Sequence, residues 1–320
     1  MDRIRTKTKK RRRLRIKRIL LLFGFFLLLI GAYGSYVIYS AYEAANKSYS
    51  ELDRGEKSKL REEAIEVQKD PFSLLIMGVE DYSSGGAHGR TDSLMVATFN
   101  PEDQSVKLLS IPRDTLTEIA DTNEKDKINH AYASGGKEAT IESVENLLNI
   151  PIDYYVTIGF DSFKDIINEV GGVSVDVPFD FYEKSDEDNQ KIYFTEGTME
   201  LDGEEALAYA RMRKQDPRGD YGRNDRQKQI LEATIDKLLS PSTVTKLDNI
   251  AEHIGNNVQT NMKVSQALAI QSKYPNFSTN NIEKLSLEGY DEYINDIFYF
   301  VPDETELAEL TGQLKNHLNQ

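Results

Sequence analysis

The 320-residue chain has no cysteine, few histidines and no phosphate-binding glycine loop of the common ATP-binding type. Without cysteine there is no disulfide scaffold, no thiolate metal site and no thiol catalysis, although this absence does not fix the compartment. No Gly-x-x-x-x-Gly-Lys-Ser/Thr segment occurs, which argues against ATP binding of that type. The histidines do not show the His-x-x-x-His spacing of a metal site; they are His88, His130, His253 and His317.

Positive charge is concentrated at the N-terminus. Residues 1–18 contain eleven Lys and Arg residues and one acid, a net charge of +10, whereas the whole chain carries −14 and the remainder therefore −24. A basic arm can bind nucleic acid. The next segment argues against that interpretation, because residues 19–39 contain no charge and are long enough to cross a bilayer core of about 30 Å. We therefore predict a membrane protein with no nucleic-acid partner.

The order of these segments predicts a topology. Basic residues flank the cytoplasmic end of a membrane helix, and the tyrosines at the far end of the apolar run suit the opposite interface. The chain is thus predicted to be a single-pass protein of the cell membrane, with its N-terminus cytoplasmic and its C-terminal domain extracellular. A cleaved signal peptide is the alternative, which requires a shorter apolar region and a small-x-small cleavage site. The predicted segments are a cytoplasmic tail (1–18), a transmembrane helix (19–39), an extracellular stalk (40–70) and an extracellular folded domain (71–320).

Apolar runs alternate with amphipathic helical patterns after residue 70, which predicts an α/β fold of the α+β variant, with a central mixed β-sheet flanked by helices. Strands are predicted at 72–79, 93–99, 105–111, 154–160 and 173–177, with strand-like stretches near 283–287 and 293–301. Helices are predicted at 127–133, 137–149, 161–170, 225–240, 243–255, 263–272 and 303–317, with a hairpin or lid at 181–198. The apolar runs are interpreted as core, and the lining of a lipid groove is an alternative that the sequence leaves open.

The segment Glu205–Lys228 holds five arginines in an otherwise acidic chain: Arg211, Arg213, Arg218, Arg223 and Arg226. Arginine presents a planar, permanently charged fork that binds phosphate oxygens two at a time. We predict a helix that follows the N-cap Asp202 and ends near Ala210, and a second helix from about Arg223. The arginines would then lie on the connection between two helices and on the first turn of the second.

Two interpretations of these arginines stay open. The segment also contains carboxylates that can pair with them: Asp216, Asp220 and Asp225. Two further segments each supply an arginine beside an acid, and both lie at the ends of predicted strands, where α/β sheets usually build sites: Arg90 with Asp92, and Arg113 with Asp114. If the three segments converge, they form an anion pocket; if they do not, these charges are scattered surface salt bridges.

Glu80 and Asp92, each at the end of a predicted strand, are candidate metal ligands. Mg²⁺ takes oxygen ligands, and where phosphate is the substrate it usually uses one or two carboxylates plus phosphate oxygens. Two acids at this spacing are also compatible with solvated loop residues. The pair is therefore a candidate metal site only in combination with the arginines.

Together these motifs resemble the LytR-CpsA-Psr family, the membrane-anchored cell-wall phosphotransferases of mainly Gram-positive bacteria. The resemblance covers about residues 71–240 and rests on an ordered series of motifs: LLIMGVE, GRTDSLMV, LLSIPRDT, KINHAYASGG, IDYYVTI, GGV at 171–173, LDGEEALAYARMR and GDYGRNDRQ. The short basic tail, the single membrane span and the external domain also match. The resemblance implies that residues 71–320 are a catalytic domain of this family.

The implied activity is that of a Mg²⁺-dependent phosphotransferase, with Mn²⁺ as an alternative metal. An anionic glycopolymer such as wall teichoic acid would pass from undecaprenyl pyrophosphate to the C6 hydroxyl of N-acetylmuramic acid in peptidoglycan, forming a phosphodiester. The implied partners are the undecaprenyl-pyrophosphate-linked polymer, peptidoglycan and membrane lipid. A non-catalytic binder or regulator of lipid-linked glycans and a polyprenyl-pyrophosphate hydrolase are the alternatives.

The resemblance also assigns roles to residues by matching motif. Glu80 and Asp92 would bind the metal; the family usually has Asp at the position of Glu80, so the neighbouring Asp81 is an alternative ligand. The residues implied to be catalytic are Asp92, Arg113 and Arg90. The residues implied to hold the pyrophosphate, with Asp220 as the acid that steadies the arginines, are Arg90, Arg113, Arg211, Arg213, Asp220, Arg223 and Gln227.

Overall fold

The computed structural model describes residues 46–80, 89–240, 258–274 and 277–320, together with residues 36, 39, 42 and 43. Within these residues, no helix combines the length and the apolar character needed to cross a bilayer. The predicted tail and nearly all of the predicted transmembrane helix lie outside the described residues. So do the helix predicted at 243–255, Asp81 and His88.

The strands of the described residues are, in chain order, β1 (Phe72–Glu80), β2 (Arg90–Asn100), β3 (Ser105–Ser110), β4 (Leu116–Ile119), β5 (Glu124–Lys127), β6 (Tyr154–Gly159), β7 (Val173–Val177), β8 (Phe181–Lys184), β9 (Lys191–Phe194), β10 (Gly197–Leu201), β11 (Val258–Thr260), β12 (Ile282–Ser286), β13 (Gly289–Ile294) and β14 (Ile297–Pro302). The helices are α1 (His130–Leu148), α2 (Phe160–Val170), α3 (Gly203–Arg211), α4 (Asp220–Leu239), α5 (Val264–Lys273) and α6 (Glu304–His317). A short 3₁₀ helix at Thr279–Asn281 precedes β12.

Six strands form one mixed sheet in the order β11-β6-β1-β2-β3-β12. The pairs β1–β2, β2–β3 and β6–β11 are antiparallel, whereas β1–β6 and β3–β12 are parallel. Four two-stranded ribbons accompany this sheet: β4–β5, β7–β10, β8–β9 and β13–β14. The predicted α+β fold with a central mixed sheet flanked by helices is confirmed by this arrangement.

The central strands send alternate side chains into two layers, as the period of a strand requires. In the first layer, Leu75 and Met77 of β1 are fully buried in a core that includes Val144 of α1 and Leu314 of α6. In the second layer, Ile76 joins a group that includes Leu231 of α4. One apolar strand therefore serves two different environments.

Two helices begin at residues other than those predicted. The helix predicted from about Arg223 begins at Asp220. The helix predicted from Lys127 begins at His130, because Lys127 pairs with β4 as the last residue of β5. The predicted break at Gly135–Gly136 is present as a kink within α1, and its second glycine has φ of 65°, which L side chains rarely adopt.

The hairpin predicted at 181–198 is present as the ribbon β8–β9. The stretch predicted as one strand near 293–301 is instead part of the hairpin β13–β14. Asn295 and Asp296 reverse the chain with φ values of 52° and 62°, a two-residue turn of the kind that joins twisted strands. The prediction missed the turn because neither residue is glycine.

Residues 48–70, the C-terminal part of the predicted stalk, pack against the domain. Leu52 and Val67 are buried. Arg61 binds the buried carboxylate of Asp153 with two hydrogen bonds, of 3.0 Å from Nε and 2.7 Å from Nη2. A two-pronged pair of this kind is geometrically specific, so it ties this segment to the loop before β6.

Candidate active site

Helix α4 carries charged and apolar side chains of the candidate site along one side. Asp220, Arg223 and Gln227 are spaced by three and four residues, which places them on successive turns of the same face. Ile230 and Thr234 continue this face and line a cavity. The helix thus connects a polar region at its N-terminus with an apolar region further along.

Asp220 joins two arginines that come from different segments. Its Oδ1 lies 2.6 Å from Nε of Arg213, and its Oδ2 accepts a hydrogen bond of 2.9 Å from Nη2 of Arg223. Arg213 follows α3, so this carboxylate fixes the connection between α3 and α4 to the first turn of α4. The arrangement agrees with the role of an acid that steadies the arginines.

Asp114 is a second carboxylate of this group and is 3% exposed. Lys127 Nζ donates to its Oδ1 at 2.8 Å, and Arg213 Nη1 lies 3.5 Å from its Oδ2. Nε of Arg113 lies 3.8 Å from the same Oδ2. Asp114 therefore brings together cations from three places in the chain: the end of β3, the end of β5 and the α3–α4 connection.

Asp92 lies at an irregularity in the pairing of β1 with β2. Its two neighbours pair with consecutive residues of β1, Gly78 and Val79, so Asp92 itself has no partner across the ladder. Such a bulge turns a side chain out of regular alternation and is common beside active sites. Arg113 Nη1 donates to Asp92 Oδ1 at 2.5 Å, and Gln227 Nε2 lies 3.4 Å from the Asp92 carbonyl oxygen.

Arg211 is the last residue of α3, and its guanidinium carbon lies 5.6 Å from the centre of the Phe160 ring. Met212 follows with extended angles (φ −57°, ψ 129°) and is fully buried. The helix therefore ends one residue later than predicted at Ala210. Arg211 lines the cavity, whereas Arg213 reaches the carboxylates, so the two arginines serve adjoining parts of one site.

Several guanidinium groups of this cluster have donors to spare. Within this cluster, three buried N–H groups have no hydrogen-bond acceptor among the described residues: Arg113 Nε, Arg211 Nη1 and Arg223 Nε. Outside the cluster, the buried Nε of Arg54 also has none. An unsatisfied buried donor is costly, and in a native structure it needs an explanation. Three unsatisfied donors on cationic side chains, from three separate segments of the chain, are the arrangement expected of an anion-binding site.

The protonation equilibria of the arginines reflect the same crowding of charge. Burial acts to lower the pKa of Arg113, but attraction to Asp92 and Asp114 outweighs it, and this pKa lies above its ordinary value. For Arg223, burial dominates and lowers the pKa, and repulsion from Arg113 adds to the decrease against the attraction of Asp220. An anion bound beside Arg223 would favour its charged form.

An apolar cavity, open to solvent, lies between the second layer of the sheet and helices α2, α3 and α4. Its walls include Ile76, Ile158, Phe163, Leu207, Ile230 and Leu231. Ser93 and Thr234 are small polar members of the lining, and the larger polar or charged side chains lie together at one end: Asp92, Arg211 and Gln227. Apolar walls with a few convergent polar groups are typical of ligand sites, and here the polar end continues through Asp92 into the arginine cluster.

Glu80 and Arg90 lie opposite each other at the outer end of the β1–β2 pair. Arg90 is exposed. Within the described part of the chain, neither side chain has a hydrogen bond or ion pair with another described residue, so neither is part of the ion-pair network of the cluster. No group of three or more His, Asp or Glu side chains converges among the described residues as a ready-made metal cage.

Asp114 was predicted only as the acid beside Arg113, and no role in the site was predicted for Lys127. Asp114 directly follows Arg113, and Lys127 opens the KINHAY motif, so both carried a signal. What the sequence did not show is that the end of β3 and the end of β5 meet, which depends on the ribbon β4–β5 folding back. Asp114 and Lys127 therefore join the cluster through tertiary structure.

The fold and this arrangement define a class of protein with an arginine-rich anion site beside an apolar cavity. Residues 35–316 match the LytR_cpsA_psr family, and the chain belongs to this family. It is 54% identical over 309 residues to the polyisoprenyl-teichoic acid–peptidoglycan teichoic acid transferase TagV of Bacillus subtilis (strain 168), covering 95% of this chain and 79% of TagV.

Two solved structures extend the comparison. The crystal structure of B. subtilis TagV superposes with a TM-score of 0.70 at 55% identity, covering 78% of this chain and 98% of TagV. The structure of the LytR-CPS2A-psr family protein YwtF (TagT) with bound octaprenyl pyrophosphate lipid gives a TM-score of 0.66 at 31% identity, covering 85% of this chain and 100% of that protein. The relative TagV is thus named as a transferase, and the structure of TagT holds a prenyl pyrophosphate.

Proposed function

We propose that this chain is a phosphotransferase that moves an anionic glycopolymer, such as a wall teichoic acid, from undecaprenyl pyrophosphate to the C6 hydroxyl of N-acetylmuramic acid in peptidoglycan. The names of its relatives support transferase chemistry of this kind. The octaprenyl pyrophosphate bound to TagT supports a donor with a prenyl tail and a diphosphate head. The uncharged segment 19–39 supports a location in the cell membrane, with the domain outside.

The observation that carries the proposal is the junction between cavity and cluster. An undecaprenyl pyrophosphate is apolar along its tail and strongly anionic at its head. The cavity offers apolar walls, and its polar end adjoins arginines with unsatisfied N–H donors. Burial of the tail contributes free energy in proportion to the apolar area removed from water, while the arginines neutralise the head.

The transfer forms one bond and breaks one bond. The acceptor oxygen attacks the phosphorus that carries the glycopolymer, the bond from that phosphorus to the lipid phosphate breaks, the hydroxyl proton is lost to solvent, and undecaprenyl phosphate leaves. Such reactions depend mainly on positioning and on stabilising charge over the phosphoryl oxygens. The two phosphates would be bound by Arg113, Arg213 and Arg223. Asp114 and Asp220 would hold these arginine side chains in position.

Arg211 and Gln227 would bind the head group from the cavity side, and Arg90 would approach it from the outer end of β2. The free length of the exposed Arg90 side chain lets it close over a bound phosphate. These assignments follow the motif resemblance and stay predictions for each residue. They share one physical reason. A guanidinium accelerates the transfer when it stabilises the charge on the phosphoryl oxygens more strongly in the transition state than in the ground state.

Glu80 and Asp92 would hold Mg²⁺, with Mn²⁺ as the alternative. The residues present fit such an ion: both donors are carboxylates, and only Oδ1 of Asp92 is engaged by Arg113. A partial oxygen shell, completed by phosphate and water, suits Mg²⁺. When bound, the ion would neutralise charge on the diphosphate. Treatment with EDTA should abolish transfer. If Glu80→Asp keeps the wild-type Mg²⁺ dependence and only Asp81→Ala loses activity, the second ligand is Asp81.

The test uses the full-length chain in detergent, Mg²⁺, a lipid-pyrophosphate glycopolymer and a peptidoglycan oligomer. We expect a phosphodiester product and release of polyprenyl phosphate only when acceptor is present. Arg113→Ala should slow transfer by a barrier of about 2.7–4 kcal/mol, by analogy with the removal of one oxyanion donor. Full activity of this variant would contradict the proposal.

Two other outcomes correspond to the alternative functions. Release of lipid phosphate at equal rates with and without acceptor would identify a hydrolase. Donor binding without any product, even with acceptor present, would identify a binder or regulator of lipid-linked glycans. The same time course therefore separates all three functions.

A further inference from the structure

The hairpin β13–β14 is a rigid ribbon beside the candidate site. Its strands pair over six residues each and are closed by a two-residue turn. Cross-strand partners point to the same side of a ribbon, so the pair Tyr293 and Phe298 shares one face, whereas the pair Tyr290 and Val301 occupies the opposite face. Substitutions of Tyr293 and Tyr290 therefore test the two opposite faces of the hairpin separately.

The face with Phe298 is attached to the arginine cluster. The guanidinium carbon of Arg213 lies 5.4 Å from the centre of the Phe298 ring. The backbone N–H of Phe300 donates to the carbonyl oxygen of Asp114 at 2.9 Å, and Tyr221 on the first turn of α4 packs its ring at right angles to Phe300. The hairpin is therefore held by the same residues and turns that build the anion site.

Tyr293 extends this attachment to the surface. Its ring packs against Phe298 at 5.6 Å between centres with an interplanar angle of 69°, and the residue is 72% exposed. The Tyr293 ring is exposed, and its contact with the Phe298 ring restricts its orientation. It is therefore pre-organised for a ligand ring to stack on it. Little side-chain entropy remains to be lost when a ligand covers it.

The position of Tyr293 relative to the cavity distinguishes acceptor from donor. Contacts run in series from the polar end of the cavity to the hairpin: Asp92, Arg113, Asp114, Arg213 and Phe298. The cavity lies at one end of this series and Tyr293 beyond the other. A lipid in the cavity would occupy one end of this series, and the hairpin end stays available for the incoming hydroxyl.

The charge of the hairpin points the same way. Residues 289–302 contain three acids, Asp291, Glu292 and Asp296, and no Lys or Arg. A phosphate-rich polymer would be repelled by this ribbon, and like charges in contact oppose binding. The pyranose rings of a glycan backbone are uncharged and present C–H faces that can stack on an aromatic ring. Their hydroxyl groups can donate hydrogen bonds to carboxylates.

We propose that the Tyr293 face of the β13–β14 hairpin is the acceptor-binding site, where a pyranose ring of the peptidoglycan glycan strand stacks on Tyr293. This assignment rests on the proposed function and adds the surface on which its acceptor is held. It makes Tyr293 a determinant of acceptor affinity that takes no part in donor binding.

The test measures transfer by the full-length chain while acceptor and donor are varied separately. Tyr293→Ala should raise KM for the peptidoglycan oligomer about fivefold, the scale of one lost aromatic contact, and leave KM for the lipid-linked donor unchanged. Tyr293→Phe should restore the wild-type KM, because the ring remains. An unchanged acceptor KM in Tyr293→Ala, or a change confined to the donor KM, would overturn the assignment.

Tyr290→Ala is the matched control, since it removes the same side chain from the opposite face of the same hairpin, where the residue is 55% exposed. We expect wild-type KM values for both substrates; an equal rise in acceptor KM would show a general effect on the hairpin and would overturn the stacking assignment. A binding measurement separates this inference from the proposed function. If wild-type protein transfers nothing but binds a neutral peptidoglycan glycan fragment, and Tyr293→Ala does not, the acceptor site stands while the transferase assignment fails.

Discussion

Two buried arginines lie three residues apart on helix α4, each paired with an aspartate, and the two pairs have opposite characters. Arg226 of α4 is paired with Asp216, and its Nε and Nη2 groups donate to the carbonyl oxygens of Tyr209 and Met212. Its guanidinium is also flanked by the rings of Phe181 and Tyr209. Every side of this cation is covered.

Arg223 is paired with Asp220 and is almost as deeply buried, yet its Nε has no acceptor. Arg113 and Arg213 lie nearby and share the carboxylates Asp114 and Asp220. The difference teaches how a structural arginine is distinguished from a ligand-binding one. Burial and an aspartate partner are common to both, whereas an unsatisfied Nε and crowding by other cations distinguish Arg223 from Arg226.

The structural pair should give the largest effect. Arg226→Ala would remove the cation from the buried Asp216 carboxylate, whose Oδ1 would keep only the hydrogen bond from the Arg218 backbone N–H, and would take a donor from two carbonyl oxygens. We expect a loss of about 3–5 kcal/mol in the free energy of unfolding, since removing one member of a buried ion pair leaves an uncompensated charge. Urea unfolding followed by circular dichroism measures it. Arg223→Ala is the matched control and should lose much less, because Asp220 keeps Arg213; similar losses in both variants would break the comparison.

The functional pair should give the next largest effect, on activity. Arg223→Ala is expected to raise the barrier to transfer by about 2.7–4 kcal/mol, on the scale of one deleted oxyanion donor. Arg218→Ala is the control from the same segment: Arg218 is exposed and pairs with Asp225 at 2.7 Å. Exposed pairs contribute little, so this variant should keep wild-type activity. Equal loss in both variants would show that the segment acts through its total charge.

A smaller effect is expected from a substitution in the apolar cavity, and it should test the role of the cavity separately from that of the arginine cluster. Thr234 lies seven residues after Gln227 on α4, about 10 Å further along the helix at 1.5 Å per residue. Thr234→Phe would fill this distal part of the cavity. We expect about a tenfold higher KM for a long prenyl donor, which corresponds to about 1.4 kcal/mol, and little change for a donor with a ten-carbon tail. Equal effects on both donors would mean that the tail lies elsewhere.

The smallest effect concerns another fully satisfied buried group. His317 of α6 lies 2.8 Å from Thr98 Oγ1 through Nδ1 and 2.6 Å from Ser105 Oγ through Nε2. Burial lowers its pKa below the ordinary 6.5, and Lys107 adds to the decrease. The neutral ring therefore stabilises the fold fully above pH 6.5. This contribution is lost as the pH falls from 6.5 through the folded pKa, because the unfolded chain takes up the proton first.

The free energy of unfolding of the wild-type protein should therefore decrease over that interval. Unfolding free energies between pH 7.5 and 5 should fall more steeply in the wild type than in His317→Gln, which cannot titrate. Transfer activity per folded molecule should not follow this dependence, because His317 lies outside the cluster. Parallel slopes in both proteins would show that other groups set the acid sensitivity.

Sequence patterns were sufficient for much of the fold. Alternating and continuous apolar runs located the strands β1, β2, β3 and β6 to within a few residues, because a strand buried on both faces needs such runs. The capping box at Asp202 and Glu205 set the start of α3 as predicted. The turn at Asn295–Asp296 was missed, since residues other than glycine adopt positive φ there.

Part of the candidate site was also readable in advance. The concentration of arginines and the acids beside them suggested an anion site, but the same sequence was also compatible with surface salt bridges alone. Arg223 and Arg226 look alike in sequence. Only the packing of Asp216 against Gly222, where any Cβ would lie 1.8 Å from the carboxylate oxygen, lets that acid reach Arg226 and sets it apart as structural.

The sequence by itself determined the alternation of strands and helices, the separation of charge along the chain and the supply of arginines, because these follow from local periodicity and composition. Tertiary structure alone decided which arginines retain unsatisfied donors, that an apolar cavity adjoins them, and that an aromatic hairpin from the C-terminal region lies against the cluster. The physical reason is that hydrogen-bond satisfaction and cavities depend on atoms far apart in the chain, whose meeting no local pattern encodes.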